Sequence, residues 1–491
     1  MKQHDWFRQA QYGMMAHWGL YSILQGEYRG KRVPHYGEWI QANLAIPNEE
    51  YHALAKIFNP VYFNADEWIR LARDAGMKYF VFTSKHHDGF ALFHSKADPF
   101  NVVDATPFGR DVVGELAEAC YKYGLKLGLY YSQELDWSHP DGGGYTNSAP
   151  CDGVSWDNSW DFPDKEKKVF DRCFEEKIKP QVKEILTGYG DLCLIWFDVP
   201  HTIRKEQSLE LYHMVKEYQP ECLINSRIGN GAFDYVSLGD NEIPEKLPDK
   251  PLSEEESDMN SLDGFKYSPY GLYEAAATLN DTWGFKYFDH NWKTPEEIAG
   301  TRKHLKELGI NYLLNVGPDA LGRIPSISAD ILLEAGVLRI EKHEDRLVFR
   351  NPGLLMLPLK EIYEGGVSKA RNPKMQNMLR MIGYGENLGS GFPMILSAWN
   401  QAGWGVPVLE NRLEVDEVAL VLPIKRIGGS DSKSDPKSDP KSDPKIRKSA
   451  PDFARVRNNV NIMNDDIWKE DKGTPGRTWV VATTIVCGIR D

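Results

Sequence analysis

Six places in this chain set a polar, chemistry-bearing group at or just past the end of an apolar run: His17, the pair His86-His87, Tyr131-Ser132, Asp198, Ser226-Arg227 and Asn315. Asp198 is the sharpest case. It closes "CLIWFDVP" (193–200), a run apolar enough for a strand covered on both faces, and Pro200 then forbids continuation as a central strand. A turn or helix-cap aspartate is the plain reading of such a position. Catalysis at the C-terminal mouth of a parallel barrel is the other, because strand ends converge there. Residues two apart on a strand share a face, so Trp196 and Asp198 point the same way. An aromatic ring beside a carboxylate, with His, Tyr, Arg and Trp around it, suits a sugar: ring faces stack and hydroxyls take hydrogen bonds.

Other chemistries find less support. "KHHD" (85–88) invites a metal, but adjacent strand residues face opposite sides, and there is no HExxH and no second cluster at ligand spacing. A GxSxG elbow is absent, and no glycine-rich phosphate loop follows a strand in the first 340 residues. Neither a metal nor a cofactor is expected.

The elements that must position these groups alternate. Strand patterns begin at "GMMAHWGLYS", "KYFVFTSKHHDGF", "KLGLYYS", "DLCLIWFDV", "ECLINSR" and "INYLLNVGP". Between them lie helical patterns at 64–76, 111–124, near 164–187, at 207–220 and at 294–309, and a last one at 327–340 closes the series. Repeated βα units of this length predict an α/β fold, a (β/α) TIM-like barrel over 1–343. Residues 228–293 are loop-rich, so the second half of the barrel is expected to be irregular.

The 491 residues carry a net charge of −13, which argues against a general affinity for nucleic acid or anionic membrane. No stretch approaches the length of a membrane span, and "MKQHDWFRQAQYG" holds no apolar leader core, so a cytoplasmic location is expected. The six cysteines form no CxxC and read as reduced thiols.

Together "HWGLYS", "YGEW", "KHHDGFALF", "GLYYS", "LIWFD", "INSR", "YEAAATLNDTWGF" and "NYLLNVGP", in this order over roughly 5–340, resemble the retaining α-L-fucosidases of glycoside hydrolase family 29. The resemblance implies hydrolysis of terminal α-L-fucose from glycans through a covalent fucosyl-enzyme, with Asp198 as nucleophile. A retaining glycosidase needs a second carboxyl group as acid/base. Glu274, in the "YEAAATLNDTWGF" stretch, is preferred, with Glu242 as its rival; Glu245 reads as a solvated loop residue. The resemblance also implies that His17, His86 and His87 donate hydrogen bonds to fucose hydroxyls and that Glu38 accepts. Tyr131 and Arg227 would hold the nucleophile ionised, and Trp39, Trp196 and Trp283 would form apolar walls. A fucosylated oligosaccharide or glycoconjugate is the expected partner.

Beyond the barrel the resemblance changes. Residues 344–427, with "ARNP" and "ENLGSG", resemble the C-terminal half of a divergent GHKL-type ATPase module of transcriptional regulators, and a small α+β fragment is expected. The upstream half, which would supply the Mg²⁺-ATP ligands, is missing. "SDSKSDPKSDPKSDPK" then predicts a disordered linker over 428–448, followed by a short tail at 449–491. Family members usually carry a β-sandwich after the barrel; without it, uncovered apolar surface would allow a homo-oligomer. Two other readings stay open: a catalytically inactive fucose-binding barrel, and a nucleotide-binding regulatory protein acting through the C-terminal fragment.

Overall fold

The apolar runs form eight short parallel strands, all but one residue of which are buried or nearly so: β1 (Tyr12–Ala16), β2 (Tyr79–Lys85), β3 (Lys126–Tyr131), β4 (Leu192–Phe197), β5 (Leu223–Ile224), β6 (Val236–Ser237), β7 (Tyr273–Thr278) and β8 (Ile310–Val316). This computed structural model describes residues 4–146, 155–247, 268–335, 339–343, 345–352, 355, 357–367, 391–412, 417–424 and 478–479. The strand order is β5-β4-β3-β2-β1-β8-β7-β6, every neighbour parallel. A single parallel bridge between Asn225 and Tyr235 joins the two ends of this sheet and closes the barrel.

Alternation along each strand separates two cores. Met15, Val81, Tyr130, Leu194, Trp196, Ala276 and Leu313 fill the barrel interior. Met14, Phe80, Phe82, Tyr131, Ile195, Phe197 and Leu314 pack outward under the helices. Strands covered on both faces need this continuous apolar character.

The helices are fixed by their caps. Asn64 accepts from Glu67 N at the start of α1 (Ala65–Asp74), and Asp111 from Gly114 N at α2 (Val112–Tyr123). After α3 (Lys179–Gly188) and α4 (Lys205–Tyr218), Thr294 and Glu297 form a reciprocal capping box at α5 (Pro295–Leu308). Gly309 then ends α5 at φ 72°, a conformation that favours glycine. No helix joins β5 to β6; a single 3₁₀ turn, Ser226–Ile228, takes its place and presents Arg227. The expected irregularity lies there, although β6 and β7 themselves fall inside the stretch that reads as loop. Among the described residues no helix is long and apolar enough to cross a membrane.

The chain divides into two compact units between Ala335 and Gly336. The last barrel helix, α6 (Ser326–Glu334), stops short of its expected end, because Arg339–Lys342 pairs as strand β9 with Leu347–Arg350. The second unit contains β9, β10 (Arg346–Pro352), β11 (Val408–Arg412), β12 (Glu417–Pro423) and β13 (Thr478–Trp479), in the antiparallel order β11-β12-β10-β9-β13. Two helices, α7 (Leu359–Glu364) and α8 (Gly391–Ala402), belong to it, and Phe392, Leu409, Leu420 and Leu422 form its small core. The unit is α+β, as its sequence predicts. "ARNP", the "ENLGSG" loop up to its final glycine, the SDPK repeat and the tail apart from β13 lie outside the described residues, as do Cys151 and Cys487.

Candidate active site

Asp198 stands one residue beyond β4, with its side chain 12% exposed at the barrel mouth. Tyr130 Oη donates to its Oδ2 (2.9 Å), and Arg227 Nη1 (3.1 Å) and Val199 N (3.1 Å) donate to Oδ1. Gln133 Oε1 accepts from its main-chain N (2.7 Å). Burial raises the Asp198 carboxyl above its ordinary value, and the Arg227 charge and the Tyr130 hydroxyl oppose that rise. Three donors on one buried carboxylate describe an anion held ready, not a helix cap.

Arg227 is the hub. Its Nη2 donates to Asp240 Oδ1 (2.5 Å) and to Leu238 O (3.0 Å), and its guanidinium lies 4.8 Å from the centre of the Trp196 ring. One guanidinium therefore bridges two carboxylates, Asp198 and Asp240. Their separation is at most two hydrogen bonds plus the width of that group, close enough for the pair to flank one scissile bond.

Neither carboxylate expected from the sequence as acid/base shares this pocket. Glu274 is the second residue of β7, four residues below the mouth end at Thr278, or about 13 Å along the strand. It is fully buried and accepts from Trp196 Nε1 (3.0 Å) and Tyr79 Oη (2.7 Å), so the Trp196 indole hangs above it. Gly13 makes room for that arrangement, since a Cβ there would lie 2.5 Å from the Tyr79 ring. Glu242 is exposed and accepts from Gly239 N (3.1 Å) in its own turn, and Glu245 is likewise exposed.

The pocket, about 320 Å³ with its open mouth, is lined by Met15, His17, Tyr36, Glu38, Trp39, His86, Trp196, Asp198, Arg227, Asp240 and Trp283. Glu38 is 1% exposed; burial raises it to about 7, and its Oε2 accepts from Gly284 N (2.7 Å). Trp39 sets its ring edge-to-face on His87 at 5.0 Å, and Trp283 lies 5.1 Å from His17.

Hydrogen bonds fix the histidine tautomers. Asn315 Nδ2 donates to Trp283 O (2.8 Å), so its Oδ1 accepts from His17 Nδ1 (2.8 Å). Burial lowers His17 to about 4, so the ring is neutral and its Nε2 carries a lone pair. Ser132 Oγ donates to Leu135 O (3.0 Å) and therefore accepts from His87 Nδ1 (2.7 Å). His87 Nε2, also a lone pair, lies 3.8 Å from Asp198 Oδ2, and burial with the nearby Lys85 charge keeps that ring neutral. Both rings are thus built to accept from a hydroxyl, the reverse of the donation expected from sequence. His86 stacks on Tyr130 (5.4 Å, 10°), and its Nδ1 is buried without a partner.

Tyr131 is a correction. Its ring packs outward and its hydroxyl donates to Gln181 (2.8 Å) in α3, while Tyr130 takes the place at Asp198. Period-two alternation separates these neighbours completely. Asp240 and Gln133 also escaped the sequence reading. Asp240 follows the two-residue β6, and the signal that could have found it is the same strand-end rule, applied to a strand too short to see.

The chain resembles known proteins in two separate stretches. The family model described as Alpha-L-fucosidase matches residues 1–338, and that of the ATP-dependent DNA helicase recG C-terminal region matches 337–422. Tissue α-L-fucosidases of Mus musculus and Homo sapiens are each 28% identical, over 68% and 67% of this chain and 68% and 66% of their own. A Caenorhabditis elegans relative, also 28% identical, is covered over 64% of its length; the chain spans about two thirds of these curated relatives. Among solved structures, α-L-fucosidase AlfC from Lactobacillus casei is 57% identical over 67% of this chain and 95% of that one, with a TM-score of 0.62. It has been solved with α-L-fucose product and with Fucα(1,6)GlcNAc. The Vibrio sp. strain EJY3 α-L-fucosidase is 26% identical over 86% of this chain and 70% of that one, with a TM-score of 0.58.

Proposed function

We propose that this chain, which belongs to the α-L-fucosidase family over residues 1–338, is an exo-acting glycoside hydrolase that removes terminal α-L-fucose with retention of configuration. The observation that carries the reading is the Arg227 bridge between Asp198 and Asp240 on the wall of a pocket lined by aromatic rings, histidines and carboxylates. Asp198 attacks C1 of fucose, and the bond to the glycosidic oxygen breaks as that oxygen takes a proton from Asp240. Asp240 then removes a proton from water, which attacks C1 and releases Asp198. The proton that Asp240 donates belongs on Oδ2, because Oδ1 accepts from Arg227 Nη2.

Asp240 suits the acid role better than Glu38, the other carboxyl group of the pocket. Asp240 is 37% exposed at the rim, where a leaving group departs, while Glu38 is sealed inside beside Gly284. Glu38 and the lone pairs of His17 and His87 serve the sugar hydroxyls. The substrates are fucosylated glycans; the disaccharide bound by AlfC, Fucα(1,6)GlcNAc, is the natural linkage to test first. The four described cysteines are free and buried, which supports a reducing compartment such as the cytoplasm.

The test is hydrolysis of 4-nitrophenyl α-L-fucopyranoside followed by proton NMR. Nitrophenol release with α-L-fucose as the first-formed anomer supports the proposal. First-formed β-fucose would overturn retention, and no release would leave a fucose-binding barrel.

A further inference from the structure

The segment after the nucleophile is strained and gripped. Val199 has φ 55°, a strained left-handed backbone that a β-branched residue rarely adopts. Its N–H is nonetheless one of the donors to Asp198 Oδ1. Two consecutive residues after β3 hold this segment from opposite sides. Gln133 accepts from Asp198 N through Oε1 and donates Nε2 to Arg227 O (2.9 Å). Glu134 has no exposed surface, and its carboxylate accepts four main-chain N–H groups, two on each oxygen: Gly144 (3.1 Å) and Thr202 on Oε1, His201 (2.6 Å) and Ile203 (3.0 Å) on Oε2.

From this geometry, and resting on the fucosidase reading, we propose that Gln133 and Glu134 are positioning residues that hold the Asp198–Ile203 segment in its strained form, so that the Asp198 carboxylate keeps its Val199 and Arg227 donors and faces C1. A carboxylate is the one side chain that offers acceptors in all four directions. Bonds from N–H to a charged oxygen are also the strong ones. Glutamine at 134 would keep one acceptor oxygen and turn an NH₂ toward two N–H donors. The turn would then relax toward an ordinary φ at Val199, moving the nucleophile by a fraction of its reach. Fucose binding depends on Glu38, His17, His87 and Trp283, which lie outside the Asp198–Ile203 segment, and would survive.

Glu134→Gln should therefore lower kcat on 4-nitrophenyl α-L-fucopyranoside by on the order of 10- to 100-fold, the usual effect of a misplaced reacting group. The inhibition constant of L-fucose should stay within about threefold, because ground-state contacts remain. Adding Val199→Gly, which removes the penalty of a positive φ, should recover about five- to tenfold of the lost kcat. If Glu134→Gln is insoluble, Gln133→Met replaces it in the same measurements; it removes the acceptor of Asp198 N while keeping the shape. A kcat within threefold of wild type overturns the proposal. So does a parallel loss of fucose affinity, or a failure of Val199→Gly to recover activity. The wild-type rate separates the two readings: its absence counts against the fucosidase, while a wild-type rate matched by Glu134→Gln counts against the brace.

Discussion

Tyr130 Oη donates a 2.9 Å hydrogen bond to Asp198 Oδ2 inside the barrel, and the next residue, Tyr131, sends its hydroxyl to Gln181 on the outside. The two tyrosines therefore answer to different tests. Tyr130→Phe removes one donor from a buried carboxylate, worth about 1.5–3 kcal/mol, so kcat should fall roughly 10- to 100-fold with a small change in melting temperature. Tyr131→Phe should cost about 1 kcal/mol of stability and leave kcat near wild type. The opposite assignment of effects, measured by steady-state kinetics and thermal melts, would return Tyr131 to the site.

Asp198→Ala should remove turnover, by about a thousandfold or more, in a protein that still melts cooperatively. Its neighbours Tyr130, Gln133 and Arg227 keep other packing or hydrogen bonds, so the pocket persists. Added azide should restore nitrophenol release and yield β-fucosyl azide, because a small anion can enter the vacated space. A folded variant that retains more than a few per cent of activity would remove Asp198 from the nucleophile's role.

For the acid/base, leaving-group ability discriminates. Asp240→Asn should slow Fucα(1,6)GlcNAc at least about a hundredfold more than the nitrophenyl fucoside, since only the poor leaving group needs a proton. Glu274→Gln should show no such selectivity, because Trp196 and Tyr79 enclose it below the pocket. Glu242→Gln should be nearly silent. Selective loss in either glutamate variant, with Asp240→Asn unselective, would exchange the roles.

What the sequence made legible follows from periodicity. Asp198, His17, Arg227 and the βα series were readable because apolar runs end where barrel strands end. The phase within "GLYYS" was not, since either tyrosine could face inward. It is set by alternation along β3, in which Leu127, Leu129 and Tyr131 pack outward and Tyr130 inward. Glu274 was placed at the site because a motif carries no depth, and only the pairing of Glu274 with Asn311 shows how far below the mouth it lies. Asp240 was missed because β6 is two residues long and produces no hydrophobic run.

Nucleotide binding by the second unit is not expected. The match to the helicase C-terminal model begins at residue 337, and the residues before it, where the Mg²⁺-ATP ligands of such a module would stand, belong to the fucosidase family match. Calorimetric titration of the full chain with Mg²⁺-ATP should give no saturable heat, and ATP should leave the nitrophenyl fucoside kinetics unchanged. Saturable micromolar binding would show a working nucleotide site in this unit.

Glu38 makes stability depend on pH in a known direction. Burial raises its carboxyl from 4.5 to about 7, against the Gly284 N–H that favours the ionised form. A group whose folded value is raised stabilises the protein below its unfolded value and loses that contribution as pH rises through the folded one. The loss therefore runs from about pH 4.5 to about pH 7 and reaches roughly 3 kcal/mol at full ionisation. Glu274, also raised to about 7, has the same sign, whereas His17, lowered to about 4, has the opposite one. Wild type alone would mix these contributions, so the measurement is a difference. Glu38→Gln keeps an acceptor oxygen for Gly284 N and abolishes this one titration, while the others cancel between the two proteins. The melting temperature of Glu38→Gln minus that of wild type should climb between pH 4.5 and pH 7.5, by roughly 4 °C, and then level off. KM for the nitrophenyl fucoside should rise in the same variant, because a hydroxyl acceptor in the pocket has been weakened. A difference that stays flat with pH, or falls, would mean that Glu38 is ionised at little cost and that its burial does not govern its charge.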